Sequence, residues 1–127
     1  MLTESDLAQF TGTASYYKHG FGNSVLTNLV LTDGAKHVAD EGKAWWLIDA
    51  IASHQTNNLL DDPMLRDMQF WKLQVNDDRS AVLICERDAN DVALTQDIPF
   101  TDFPLKEIRF YLVRSERYRV LMLPSEY

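Results

Sequence analysis

A single cysteine, Cys85, is all the chain has, which excludes an intramolecular disulfide, a disulfide scaffold and a thiolate metal cluster. Glycine is scarce, and none of the 5 present builds a P-loop, a dinucleotide fingerprint or a Gly-x-Ser-x-Gly elbow. Ordinary nucleotide enzymes and serine hydrolases are therefore not expected. Long apolar runs are missing as well. The longest nearly uncharged stretch, Ala44 to Leu60, is interrupted by Asp49 and diluted by Ser53, His54, Gln55 and Asn57, which excludes a membrane-spanning helix. Met1 to Phe10 carries Glu4 and Asp6 where a secretory signal has a basic region and then an apolar run, so a cytoplasmic protein is expected. Net positive charge is also lacking. A formal charge of −7 opposes non-specific attraction to nucleic acid or to an anionic membrane, and neither is expected as a direct partner.

What is present is an ordinary globular composition, 46% hydrophobic and 24% charged over 127 residues. That length closes one core and is short for two, so a single domain over residues 1–127 is expected. Charge is unevenly spread: residues 1–105 hold 16 acidic and 7 basic side chains, and residues 106–127 hold 3 and 5. The basic end is a candidate anion site.

The pattern predicts a short helix over Thr3 to Leu7, capped by Thr3 or Ser5, and a short strand over residues 13–17, before a turn at Gly20 and Gly22. Thr32-Asp33-Gly34 supplies capping chemistry for a helix from Asp33 to Glu41 that stops at Gly42. Ala44 to His54 is apolar around most of its circumference and reads as a central helix. Gln55 to Arg66, rich in Asn, Asp and Pro, reads as a surface loop. The period then changes to two. Phe70 to Val75, Ala81 to Glu86 and Val92 to Ile98 form a meander, and Ile108 to Val113 with Tyr118 to Leu123 a last hairpin. The fold class is α+β, a mostly antiparallel sheet of about four to six strands packed against about two or three helices.

Several segments are also shared with a known group of sequences. Phe10-Thr11-Gly12-Thr13 with Tyr16-Tyr17, Leu31-Thr32-Asp33-Gly34, Ala44 to Gln55, Phe70-Trp71-Lys72-Leu73, Thr101 to Leu105 and Leu123 to Tyr127 together resemble an uncharacterised family of small single-domain bacterial proteins of unknown function. The resemblance implies a bacterial origin, with a place on mobile elements, and brings no catalytic residue with it.

Asp49 is the residue the pattern accommodates least, because a carboxylate on so apolar a helix is costly to bury unless hydrogen-bonded. Trp46 and Ser53, three before it and four after, share its helical face and can satisfy it. Burial without a cation would raise its pKa and make Asp49 a candidate general acid or base; His54 is a further candidate, although five residues on it lies too far round the helix for easy contact with Asp49, and a structural anchor or a solvent-facing position is the plainer reading. His19, His37 and His54 match no local metal-ligand spacing, so no metal and no cofactor is expected. Cys85 alternates with Ala81 and Leu83 on one strand face and reads as core.

Arg114, Arg117 and Arg119 fall together if the last hairpin turns at Ser115-Glu116, with 114 opposite 117 and 112 opposite 119. Such a tip can hold a phosphate or a partner's carboxylate, and a solvated turn is the alternative. Trp46 joins these arginines as a candidate binding residue.

With no catalytic signature, the leading expectation is a non-enzymatic module that binds a protein partner. The alternatives are an acidic phage- or plasmid-encoded inhibitor of a nucleic-acid-handling protein, and a small enzyme using Asp49 with a histidine. Self-association is a further reading, since Trp45, Trp46, Tyr16 and Tyr17 exceed what a small core needs to cover.

Overall fold

A computed structural model describes residues 2–19 and 28–127. The glycine turn expected at Gly20 and Gly22 lies outside the described residues. The elements run α1 (Glu4–Leu7), β1 (Tyr17–Lys18), β2 (Leu29–Leu31), α2 (Asp33–Glu41), α3 (Trp45–Ser53), α4 (Asn57–Leu60), α5 (Pro63–Asp67), β3 (Met68–Val75), β4 (Ala81–Asp88), β5 (Asp91–Ile98), β6 (Glu107–Ser115) and β7 (Tyr118–Met122). A 3-10 turn, Pro124–Glu126, follows.

The strands make one sheet in the order β1-β2-β7-β6-β3-β4-β5. It is larger than the four to six strands expected and it is mixed, because β2 pairs parallel to β7 through Leu29 with Arg119 and Leu31 with Leu121. Around it the described residues hold five α-helices where two or three were expected. The extra ones come from the segment read as a loop. Asp62 caps α5 by accepting from the Met64 amide, and Pro63 occupies the first helical turn, a position where a missing N–H costs nothing. The early strand is Tyr17–Lys18 alone.

Capping fixes the helix starts that the sequence announced. Thr3 accepts from the Asp6 amide while Asp6 accepts from the Thr3 amide, a reciprocal box. Thr32 accepts from the Ala35 amide at the head of α2. A second carboxylate reaches the same helix end from the C-terminus. Glu126 accepts from the Gly34 amide at 3.0 Å and from the Thr32 hydroxyl at 2.6 Å, so a negative group sits where the helix dipole is positive. At position 34 a Cβ would lie 2.7 Å from Leu123 Cδ1 and closer still to the Glu126 carboxylate, so any larger residue must push these side-chain ends aside.

Register divides the sheet residues cleanly. Trp71 opposes Cys85 and Phe110, Leu73 opposes Leu83 and Ile108, and Leu112 opposes Leu121. These side chains join Ala35, Val38, Leu47, Ile48, Ile51, Ala52, Leu59 and Leu65 from the helices in one core. Each large apolar side chain buried there contributes about 1.5–3 kcal/mol. A small polar network is sealed into it: Gln55 and Gln69 exchange two side-chain hydrogen bonds, and the Trp71 indole donates to Gln69. The buried side chains of α2 to α5 thus lie on one side of the sheet. No described helix is long and apolar enough to cross a membrane.

Candidate functional site

The other face of the sheet is lined by the alternate residues of the same strands. Phe70 opposes Tyr111 and Glu86, Lys72 opposes Arg109 and Ile84, Gln74 opposes Glu107, Tyr111 opposes Met122, and Val113 opposes Val120. Helices reach only its borders in the described residues: Glu4, Leu7 and Ala8 line a hollow with Glu107 and Arg109, and Pro63, Met64 and Asp67 line one with Phe70. An aromatic row crosses it, with Phe70 edge-on to Tyr111 at 5.1 Å and Tyr111 edge-on to Tyr127 at 5.6 Å. Such perpendicular contacts match ring edge to ring face. Tyr127 is 73% exposed at the end of the row.

Beside the aromatics lies a set of paired charges. Lys72 Nζ stands 3.6 Å from Glu86, Arg109 donates to Glu107 at 2.9 Å, and Gln74 donates to the same carboxylate. The Arg109 hydrogen bond holds the Glu107 carboxyl below its usual range. A depression of about 210 Å³ opens among Phe70, Tyr111, Lys72, Glu86 and Arg109. The face is therefore apolar along one line and polar but internally neutralised along the next.

The three arginines of the last hairpin do not converge. The turn falls at Glu116-Arg117, with Glu116 at φ 55°, so Arg114 opposes Arg119 and Ser115 opposes Tyr118. Arg114 donates to Asp67 at 3.3 Å and Arg119 donates to the Arg66 carbonyl, both toward the helices. Burial, followed by the charge of Arg114, lowers the Arg119 pKa. Arg117 goes its own way, donating to the Tyr118 hydroxyl at 3.3 Å with its guanidinium 5.3 Å from that ring's centre. Trp46 is half-buried and packs against the core.

Asp49 faces outward, because Leu47, Ile48, Ile51 and Ala52 take the inner side of α3. Its partner is neither Trp46 nor Ser53. His19 Nε2 donates to Asp49 Oδ1 at 2.6 Å, and the Ser53 hydroxyl donates to the Ala50 carbonyl. The His19 ring stacks on Trp45 at 5.5 Å, the Trp45 indole donates to Asp40, and Lys36 donates to Asp40 at 2.6 Å while lying over the Tyr17 ring. Tyr17 in turn donates to Asp33. The Lys36 hydrogen bond lowers the Asp40 pKa, and the Ala14 amide does the same for Asp33. This belt fastens the edge strand β1 to α2 and α3. His54 is elsewhere, bonded to Gln96 at 2.6 Å and stacked on Trp71. Cys85 is fully enclosed, and burial pushes its thiol up to about 12. Among the described residues no three His, Cys, Asp or Glu side chains gather as a metal site.

The model of a family of unknown function, DUF6876, matches residues 1–127. The chain belongs to that family. No curated protein and no solved structure matches it, so the family supplies no activity and the functional case rests on the residues.

For this member of DUF6876, two features escaped the sequence reading. One is His19 as the partner of Asp49, thirty residues distant and invisible to helical spacing. The other is the row of Phe70, Tyr111 and Tyr127. Its signal was present in the doublets Phe70-Trp71 and Phe110-Tyr111: in a strand, adjacent aromatics must point to opposite faces, so one of each pair leaves the core.

Proposed function

We propose that this chain is a non-enzymatic protein-recognition module, and that its partner docks across the sheet face opposite the helices. The observation that carries this reading is the aromatic row Phe70, Tyr111 and Tyr127, which lies outside the core on the outer face of the sheet. Aromatic anchors surrounded by polar groups are what protein interfaces concentrate at their centres. The charges beside the row are already paired, so the face fits a partner surface that is apolar at its centre and carries no large net charge. The acidic surplus lies instead on the helices and turns, at residues such as Asp61, Asp77 and Asp78.

Salt separates this reading from an acidic inhibitor of a nucleic-acid-handling protein. A partner held by the aromatic face stays bound when low salt is exchanged for about 0.5 M, where surface charges are screened. A partner released by salt, and footprinted to the acidic turns, would favour the inhibitor instead. A second copy of the chain on the face would appear as a dimer in sedimentation.

One further observation favours a second reading, a small enzyme. A histidine oriented by a carboxylate is the arrangement of a general base, and His19 with Asp49 has that geometry. Turnover of a small-molecule substrate that Asp49→Asn abolishes without unfolding would establish it.

A further inference from the structure

Where β1, β2 and β7 meet on this same face, a hollow of about 360 Å³ is lined by Tyr16, Lys18, Val30, Ser115, Tyr118 and Val120. A second, of about 270 Å³, shares Lys18 and Tyr118 and adds Asn28 and Arg117. Val30 and Val120 oppose each other on neighbouring strands and form an apolar floor. Together the two reach the size of pockets that hold small molecules.

The polar groups around this floor are donors with little to donate to. Lys36, Lys72, Arg87, Arg109 and Arg114 each hold a carboxylate. Lys18 and Arg117, like Lys43, Arg66, Arg79, Lys106 and Arg119, hold none among the described residues, and residues 20–27 contain no Asp or Glu to neutralise the pair at this floor. The Arg117 hydrogen bond and charge, followed by the charge of Lys18, lower the Tyr118 pKa, and Glu116 opposes them more weakly. In a chain of formal charge −7, this is a local positive field over an apolar floor.

We infer that the hollow is a binding site for a small oxyanion, a carboxylate or a phosphate, carried on an apolar body about the size of one ring. Lys18 and Arg117 take the charge, and the Tyr118 hydroxyl, whose oxygen already accepts from Arg117, keeps its own hydrogen for the ligand. The valines and Tyr16 enclose the ring. The site is separate from the aromatic row and does not depend on a protein partner.

The test is a titration of the full chain with phenyl phosphate, benzoate and inorganic phosphate, followed by amide and methyl NMR. The expected result is saturable shifts centred on Val30, Tyr118 and Val120, with a ring-bearing anion binding more tightly than inorganic phosphate. Comparing phenyl phosphate with benzoate tells which head group is preferred. Lys18→Met and Arg117→Met, both on exposed groups, should each weaken binding about tenfold while leaving the spectrum of the free protein folded. The inference is overturned if neither ring-bearing anion gives a saturable shift, if inorganic phosphate binds equally well, or if both variants bind as the parent does.

Discussion

His19 Nε2 and Asp49 Oδ1 meet at 2.6 Å between the end of an edge strand and the middle of a helix. The contact is the last link of a belt that runs from Asp33 through Tyr17, Lys36, Asp40 and Trp45. A strand of only two residues has few ladder bonds of its own, and this belt supplements them.

The belt predicts a modest, local effect of cutting it. Asp49 is 46% exposed in its side chain, so Asp49→Asn should cost less than about 1 kcal/mol in global unfolding. Amide exchange around Tyr17 and Lys18 should quicken while the β3–β4 hairpin keeps its protection. Urea melts and exchange measured on the same variant check both parts.

The C-terminal latch predicts a larger one. Glu126→Ala removes a carboxylate from the head of α2 and should cost about 1–2 kcal/mol. Gly34→Ala should also destabilise, since the new methyl must displace the ends of Leu123 and of the same carboxylate. Combining the two should cost less than their sum, because removal of the carboxylate relieves part of the collision. A double-mutant cycle in denaturant reads this directly.

The buried glutamines predict a steep loss without a rescue by apolarity. Gln69→Leu leaves the Gln55 carbonyl oxygen and the Trp71 indole unpaired, each a desolvation cost of about 1–3 kcal/mol. Equilibrium unfolding of this variant should show a lower midpoint with an unchanged denaturant slope.

Cys85 should be unreactive in the folded protein. Its thiol is pushed up from 9.0 to about 12 by burial, so the folded state holds the proton where the unfolded chain releases it. The group's contribution is fully present below about pH 9 and is lost as pH rises toward 12, because ionisation then favours the unfolded chain. A thiol reagent at pH 8 should label the protein only as fast as it unfolds.

Much of the fold was legible because its signals are local. Thr32 before α2 and Gly42 after it bracket a helix, and the alternation from Phe70 to Val75 announces a strand. What was not legible is what depends on distant partners. Leu29–Leu31 is too short to show a period, and its parallel place beside β7 follows from three-dimensional packing alone. Asp61, Asp62 and Pro63 are as good at starting helices as at making turns, so Gln55 to Arg66 reads as loop from sequence although it holds α4 and most of α5. The register of the last hairpin hinged on one residue, because Glu116 adopts a positive φ that its side chain does not advertise. The same limit applies to function: a sheet face becomes visible only when five strands are laid side by side.

The most direct test of that face is partner capture with a matched pair of proteins, the parent chain and Phe70→Ser/Tyr111→Ser, each first shown to be folded by circular dichroism. Both substituted side chains are half-buried on the outer face and outside the core, so the variant should keep its fold. A partner retained by the parent at low and high salt and lost from the variant is the expected result. Equal retention by both proteins would contradict it.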